Sequence, residues 1–528
     1  MQKNVISMLA VMAVAGTAIS AGTAVSAETL RWSSSGDALT FDPHSEVDAS
    51  TRAINGIMYE RLITRDPSLN LVPGLATSWE PIEGENAWLL KLRKGVTFHE
   101  GQDFNAQDVV FSITRTQAPT SAYIKLMSSI ASVEVINDYE VKLITTDPNP
   151  ILPAQLTSIM IMDSDWAEEN GVVEPQNFTT KEETYAVRHA NGTGPFKLVS
   201  RAPDEQTIMA RNEDWWGWSD HSGNIDTIEF RPIANAATRV ASLLSGELDF
   251  VLDPPLQDIQ RIKGAEGLKI ETVPEVRTIF FGMKQSAEPL KSSNITDVNP
   301  FADVRVRLAV NHALDLAAIQ RVVMDGNSFP TGMLTSPSVF GSTPELDAPY
   351  GYDPEKSKAL MAEAGYADGF SVQLDCPNDR YLNDEKICQA AVAMLARIGI
   401  NVTLEATPKN IHFTKVNDKD TDFFLIGWGV PTLDSQYPME YLLEAGGRAN
   451  AAEYDNSQVN DLIGEIRKEM NPETRLDLIH QAWQIARDEA PYAPVHHQVI
   501  SWAMVSDLDL PISADNTPRF EFAVKNAN

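Results

Sequence analysis

Phe423-Phe424-Leu425-Ile426-Gly427-Trp428-Gly429 is the run from which the fold of this 528-residue chain is read. Its first four residues are wholly apolar, as a buried parallel strand requires. Upstream, Ile400-Asn401-Val402-Thr403-Leu404 reads as a strand with one apolar face, and a further strand begins near Leu374. Between those two, Ile387, Ala391, Met394, Leu395 and Ile398 recur at helical spacing behind an Asp384 cap, and Gly399 supplies the stop. Strands alternating with a helix imply an α/β sheet, and in such sheets ligands bind beyond the carboxyl ends of the strands. The loops around Arg380 and Trp428 are therefore expected to form one wall of a ligand pocket.

Length and charge set the bounds. A chain of 528 residues exceeds what one core supports and should divide into domains. A hydrophobic fraction of 43% is enough to build them. The formal charge of −31 excludes nucleic acid and anionic lipid as partners and reads as a solubility device. Lys3, the apolar run from Val5 to Ala15 and Val25-Ser26-Ala27 have the order of a secretory leader, cut after Ala27. That run is too short to span a bilayer, and no later stretch approaches the length of a membrane span. The mature chain is expected to be exported, not membrane-embedded. The cysteines are Cys376 and Cys388. An oxidising compartment favours a bridge between them, which would stiffen the Arg380 loop; a metal pair and two free thiols are the competing readings.

Catalytic patterns are missing from the sequence. There is no nucleophile-elbow serine, no phosphate-cradling glycine loop and no His-Glu-x-x-His pair. Asp418, Asp420 and Asp422 alternate like a calcium loop, but Phe423 stands where its glycine belongs and Gly429 where its glutamate belongs. They read as a solvated turn. His496-His497 would point to opposite faces of a strand, which favours structural histidines over a metal site. No cofactor is expected.

The segment from Val72 to Arg115 is the most specific. Trp88-Leu89-Leu90-Lys91-Leu92-Arg93-Lys94-Gly95-Val96-Thr97-Phe98-His99-Glu100-Gly101 follows a polar turn at Glu83 to Asn86 and precedes a helix capped by Asn105. The block resembles the signature of the family 5 extracellular solute-binding proteins, the periplasmic components of ABC importers for peptides, nickel and related solutes. Asn191-Gly192-Thr193-Gly194-Pro195-Phe196, Arg211-Asn212-Glu213-Asp214-Trp215-Trp216 and Tyr352-Asp353-Pro354-Glu355-Lys356 agree in the family's order.

The resemblance implies a two-lobed periplasmic-binding-protein fold, type II and cluster C-like, with a hinge and an extra inserted subdomain. The first lobe would hold residues 28–71, 188–285 and 500–528, with the subdomain at 72–187 and the second lobe at 286–499. The Pro/Ser/Asn-rich stretch from Ser286 to Pro300 is the linker candidate. It implies a monomer that captures a small solute and delivers it to inner-membrane permease subunits. In dipeptide binders an arginine in the loop matching Arg380 holds the ligand's carboxylate, and Trp428 offers a face for stacking. Peptide-binding members carry an aspartate three residues after that tryptophan; here the position is Pro431, with Asp434 three further on as a possible substitute. Tyr381, Asn383, Ser35 and Trp502 complete the expected ligand-binding set. The leading solute is a short or modified peptide or another carboxylate-bearing compound. The alternatives are a sugar, an opine or a metal chelate and, from another class, a secreted hydrolase. Intact-mass measurement of exported protein should give a chain beginning at Glu28; retention of residues 1–27 would refute the leader.

Overall fold

The computed structural model describes residues 28–526 apart from 181 and 287, so the expected leader lies outside the described residues. Among the described residues, the largest sheet has eleven strands and runs through both lobes. Ile400–Thr407, Phe370–Pro377 and Phe423–Gly429 form its second-lobe end. Phe250–Leu252, Thr29–Ser33, Thr227–Phe230, Gln206–Arg211 and Phe196–Ala202 form its first-lobe end. Two long antiparallel strands, Leu268–Met283 and Tyr492–Val505, join the ends.

Local chemistry explains the elements near the eventual site. Asp48 accepts from Thr51 N and caps the helix Ala49–Met58. Asn105 and Asp108 make a reciprocal capping box for Ala106–Thr116. Gly399, at φ 88°, ends the helical turn before Ile400 because it adopts a left-handed conformation at no steric cost. Phe423–Gly429 is buried over its apolar half, as expected, yet it pairs antiparallel with Leu268–Met283 along most of its length and meets Phe370–Pro377 in parallel at Asp375. The Asp384 cap shifts by one residue: Asn383, at φ 55°, precedes the helix, while the Asp384 carboxylate accepts from Arg380 N and Tyr381 N. Asp384 therefore fixes the loop before it. Cys376 and Cys388 are bridged, fastening a strand end to that helix.

Separate cores correspond to separate layers. Trp32, Phe230, Phe250 and Trp502 belong to the first. Phe281, Phe301, Leu374 and Phe423 belong to the second. A third, with Leu90, Phe104 and Leu143, lies under a four-stranded sheet between residues 76 and 145. The chain crosses between the main lobes within the long strands, where their register shifts between Pro274 and Thr278. The stretch from Ser286 to Pro300 lies beyond this crossing, with Leu290, Pro300 and the Asn299 side chain packed against the second lobe.

Asp42 ties the N-terminal segment to the subdomain. Arg115 donates to its two oxygens at 2.7 and 2.6 Å, and Gln176 N donates at 2.8 Å. Burial opposes the carboxylate's charge, but Arg115 holds its pKa below the ordinary value. Removing one member of such a pair strands the other charge. Arg115→Ala should therefore lower stability by about 3–5 kcal/mol in urea unfolding; a loss below about 1 kcal/mol, the range of an exposed pair, would contradict the clamp.

Candidate functional site

A cavity of about 650 Å³ lies where the first lobe faces Val276, Val430, Pro431 and Leu433. Its floor is one side of the helix Ala49–Met58, which presents Ser50, Arg52, Ala53 and Gly56, followed by Glu60 and Arg61. A second wall is the C-terminal segment from Asp515 to Phe522, and a third is Trp215 with Trp216. Segments nearly 500 residues apart thus share one space.

Charges in this cavity are sorted by neighbour. Trp216 Nε1 donates to both Glu60 oxygens at 3.1 Å, and the Arg93 guanidinium stacks 3.5 Å over the Trp216 ring. Burial pushes the Glu60 carboxyl up to about 7, outweighing the hydrogen bonds that favour its charge. Asp515 is doubly bound by Arg519 at 3.2 and 2.9 Å. Arg65 donates to Leu69 O at 2.7 Å and to Thr432 O at 2.9 Å, the latter a direct tie between the lobes. Beside that tie, Leu69 and Ala514 pack with Val339, Val430 and Leu433.

The expected residues occupy different places. Ser35 is exposed and lines the cavity. Trp502 is fully buried behind it; its Nε1 donates to Asn516 Oδ1 at 2.8 Å, and Asn516 itself lines the cavity. Arg380 is exposed on the second lobe, its guanidinium 5.1 Å from the Tyr381 ring, and its charge acts on Glu275 next to Val276. Tyr381 is buried and donates to Gly427 O, and Asn383 donates to Val323 O, so both brace the second lobe. Trp428 is half-buried between Tyr437 and Tyr441, with ring centroids 5.9 and 5.6 Å away. Asp434 is buried, and Arg475 engages its two oxygens at 2.8 and 2.7 Å; it is spent on an internal pair instead of facing the cavity. Pro431 does line the cavity.

His497 bridges Thr278 Oγ1 and Asp347 Oδ1 at 2.9 Å each. His496 is buried with neither ring nitrogen bonded. Among the described residues, no group of three or more His, Cys, Asp or Glu side chains is arranged to hold a metal ion. No helix among them is long and apolar enough to cross a membrane. The sequence reading missed Arg52, Arg61, Arg519 and the Trp215–Trp216 wall. The Trp215-Trp216 pair was visible as a motif, but its closeness to residues 52–61 and 515–522 depends on tertiary packing.

Comparison with known proteins bears on this two-lobed arrangement. The family model described as "Bacterial extracellular solute-binding proteins, family 5 Middle" matches residues 70–450. The chain belongs to this family. It is 26% identical over 471 residues to the glutathione-binding protein GsiB of Shigella flexneri, covering 86% of each chain. It is 27% identical over 494 residues to heme-binding protein A of Haemophilus influenzae, covering 87% of this chain and 85% of that one. The fold matches the unliganded open form of the periplasmic murein tripeptide-binding protein MppA with a TM-score of 0.82 at 20% identity, over 94% of this chain and 97% of that one. The resemblance read from Val72 to Arg115 is thus membership, and the chain is a two-lobed solute-binding protein of the ABC-importer type.

Glu60 gives this solute-binding protein a pH signature. Its carboxyl ionises near 4.5 when unfolded and near 7 when folded, so folding holds the proton. Stability from this group is complete below about 4.5 and is lost as pH rises through about 7. Buried His44 runs the other way, held down to about 4 by burial and then by Arg115. The difference between wild type and Glu60→Gln isolates the carboxyl: across pH 4.5–7 the variant should gain thermal stability relative to wild type as pH rises. Parallel melting curves would show that Glu60 does not titrate there.

Proposed function

We propose that the mature chain is an exported, monomeric receptor that captures a small carboxylate-bearing solute in this cavity and hands it to the inner-membrane permease of an ABC importer. One observation carries the reading: the cavity takes walls from both lobes, on either side of the crossing strands. A solute there contacts both lobes at once, and its tighter binding to the closed arrangement drives closure. The lobe boundaries remain proposed at 28–71, 188–285 and 500–528 against 286–499, with 72–187 as the inserted subdomain; the cores follow this division except that Ile279, Phe281 and Met283 pack in the second lobe, Met160, Trp166 and Val172 in the first, and Leu62 and Ile63 in the subdomain.

A volume of about 650 Å³ falls within the range of small-molecule pockets. The names of the relatives, glutathione-binding and heme-binding, support a compact solute that carries carboxylates. Pro431 in the wall and the engagement of Asp434 by Arg475 leave an α-ammonium group without its usual partner, which favours a modified peptide over a plain dipeptide. Arg380 and Trp428 are proposed as second-lobe contacts that meet the solute on closing, and Ser35 as a first-lobe contact. A sugar, an opine or a metal chelate is the alternative solute; a secreted hydrolase is the alternative role.

Native mass spectrometry of protein from its own periplasm, followed by denaturation, should release an unmodified small molecule. Arg380→Ala should weaken binding of that molecule about tenfold or more, the worth of a charge-assisted hydrogen bond. Unchanged affinity would remove Arg380 from the site, and release of a hydrolysis product would overturn the receptor role.

A further inference from the structure

Among the described residues, two arginines on the cavity floor, Arg52 and Arg61, enter no ion pair. Arg52 lies one helical turn before Gly56 on the cavity side of the helix Ala49–Met58, and both line the cavity. Arg61 folds back over the same turn. A Cβ placed on Gly56 would sit 3.1 Å and 3.4 Å from its two terminal nitrogens, so the guanidinium lies directly on the helix backbone where the glycine leaves room. The Arg61 guanidinium thus lies one helical turn from Arg52, and the Arg52 charge acts on it unfavourably.

Their neighbours have other commitments. Arg519 is bound to Asp515, and Arg65 to the carbonyls of Leu69 and Thr432. Arg52 Nε and Arg61 Nε are buried and without a hydrogen-bond partner, and among the described residues neither side chain enters an ion pair. Burial first, and then the Arg52 charge, push the Arg61 guanidinium down to about 10, with Asp515 only partly offsetting them. Proteins rarely leave buried cations unpaired. Here two half-buried ones, their Nε atoms buried, are left without an ion pair among the described residues, facing a cavity, in a chain whose net charge is −31.

We propose that the Arg52–Arg61 pair is the oxyanion subsite of the cavity, holding a carboxylate or phosphate group of the solute against the first lobe. The inference rests on reading the cavity as the solute site. Two planar forks one helical turn apart suit an oxyanion whose oxygens each accept from a different guanidinium. An anion there also relieves the repulsion between the two cations, so its binding stabilises the fold by mass action. The second-lobe arginine, Arg380, is not needed for this step.

The test uses the mature protein with three probes at equal ionic strength: sodium succinate, inorganic phosphate, and sodium chloride as control. Succinate or phosphate should raise the melting temperature of wild type above the chloride value, and whichever acts identifies the oxyanion. In R52Q/R61Q the half-maximal concentration should rise about tenfold or more. R61K, which keeps the charge and loses the fork, should fall between them. Without anion, R52Q/R61Q should melt at or above wild type, because a repulsion has been removed; this excludes misfolding as the cause of lost binding. Equal responses in wild type and R52Q/R61Q, or no response in wild type, overturn the subsite. If the anion response is lost yet both proteins still co-purify with the same periplasmic solute, the receptor reading stands and the subsite assignment falls.

Discussion

Everything in this molecule hangs on one antiparallel ladder. Leu268–Met283 and Tyr492–Val505 pair from Leu268 opposite Val505 to Gly282 opposite Tyr492, and each lobe's strands attach to one half of that pair. The ladder is interrupted between Pro274 and Thr278, where proline has no N–H to give and the register slips. A continuous ladder would make the sheet one stiff plate. An interrupted one keeps the halves in register while freeing a few backbone groups to change angle. The cavity sits beside this interruption, with Val276 in its wall. The break in the ladder and the cavity wall thus share the same few residues.

The first-lobe wall is electrically unlike the rest of the protein. In a chain of net charge −31, the floor presents Arg52 and Arg61 to the cavity, and Glu60 is driven toward its neutral form by burial. The aromatic wall adds Trp216, with Arg93 on its face. Few of these groups are satisfied by one another, whereas Asp42 with Arg115, and Asp434 with Arg475, are fully paired. Buried ionic groups that are paired hold the fold together. Those left unpaired in a cavity are available to something else.

Much of the fold was legible because it depends on local chemistry. The cap at Asn105, the stop at Gly399, the N-cap and first-turn proline at Asp353-Pro354 and the turn between Pro81 and Ala87 are each decided by neighbouring residues. The strands behind Arg380 and Trp428 were readable too, by their apolar runs and periodicity, but the cavity takes Val430, Pro431 and Leu433 from this side and neither Arg380 nor Trp428. The direction of pairing for Phe423–Gly429 was not, because an apolar run is buried on both faces whichever way its neighbour points. Nor was the role of Asp434, whose partner Arg475 lies 41 residues away. The floor of the cavity was the least legible part. Its residues come from positions 50–61, 215–216 and 515–522, and no local pattern announces that they meet.

The disulfide has a consequence for the loop that carries Arg380. Cys376 and Cys388 flank this loop, which is also held by Asn378 N donating to Thr407 O, by Lys409 N donating to Asp379 and by the Asp384 carboxylate. Thiols are kept reduced in the cytosol and oxidise in secretory compartments. A reduced chain would keep both lobes, the ladder and the arginine floor, and would lose only the covalent link between the strand end and the helix that follows the loop. Oxidation thus adds a covalent clasp to a loop that hydrogen bonds already shape, and it does so in the kind of extracellular setting where the solute-binding proteins of this family work.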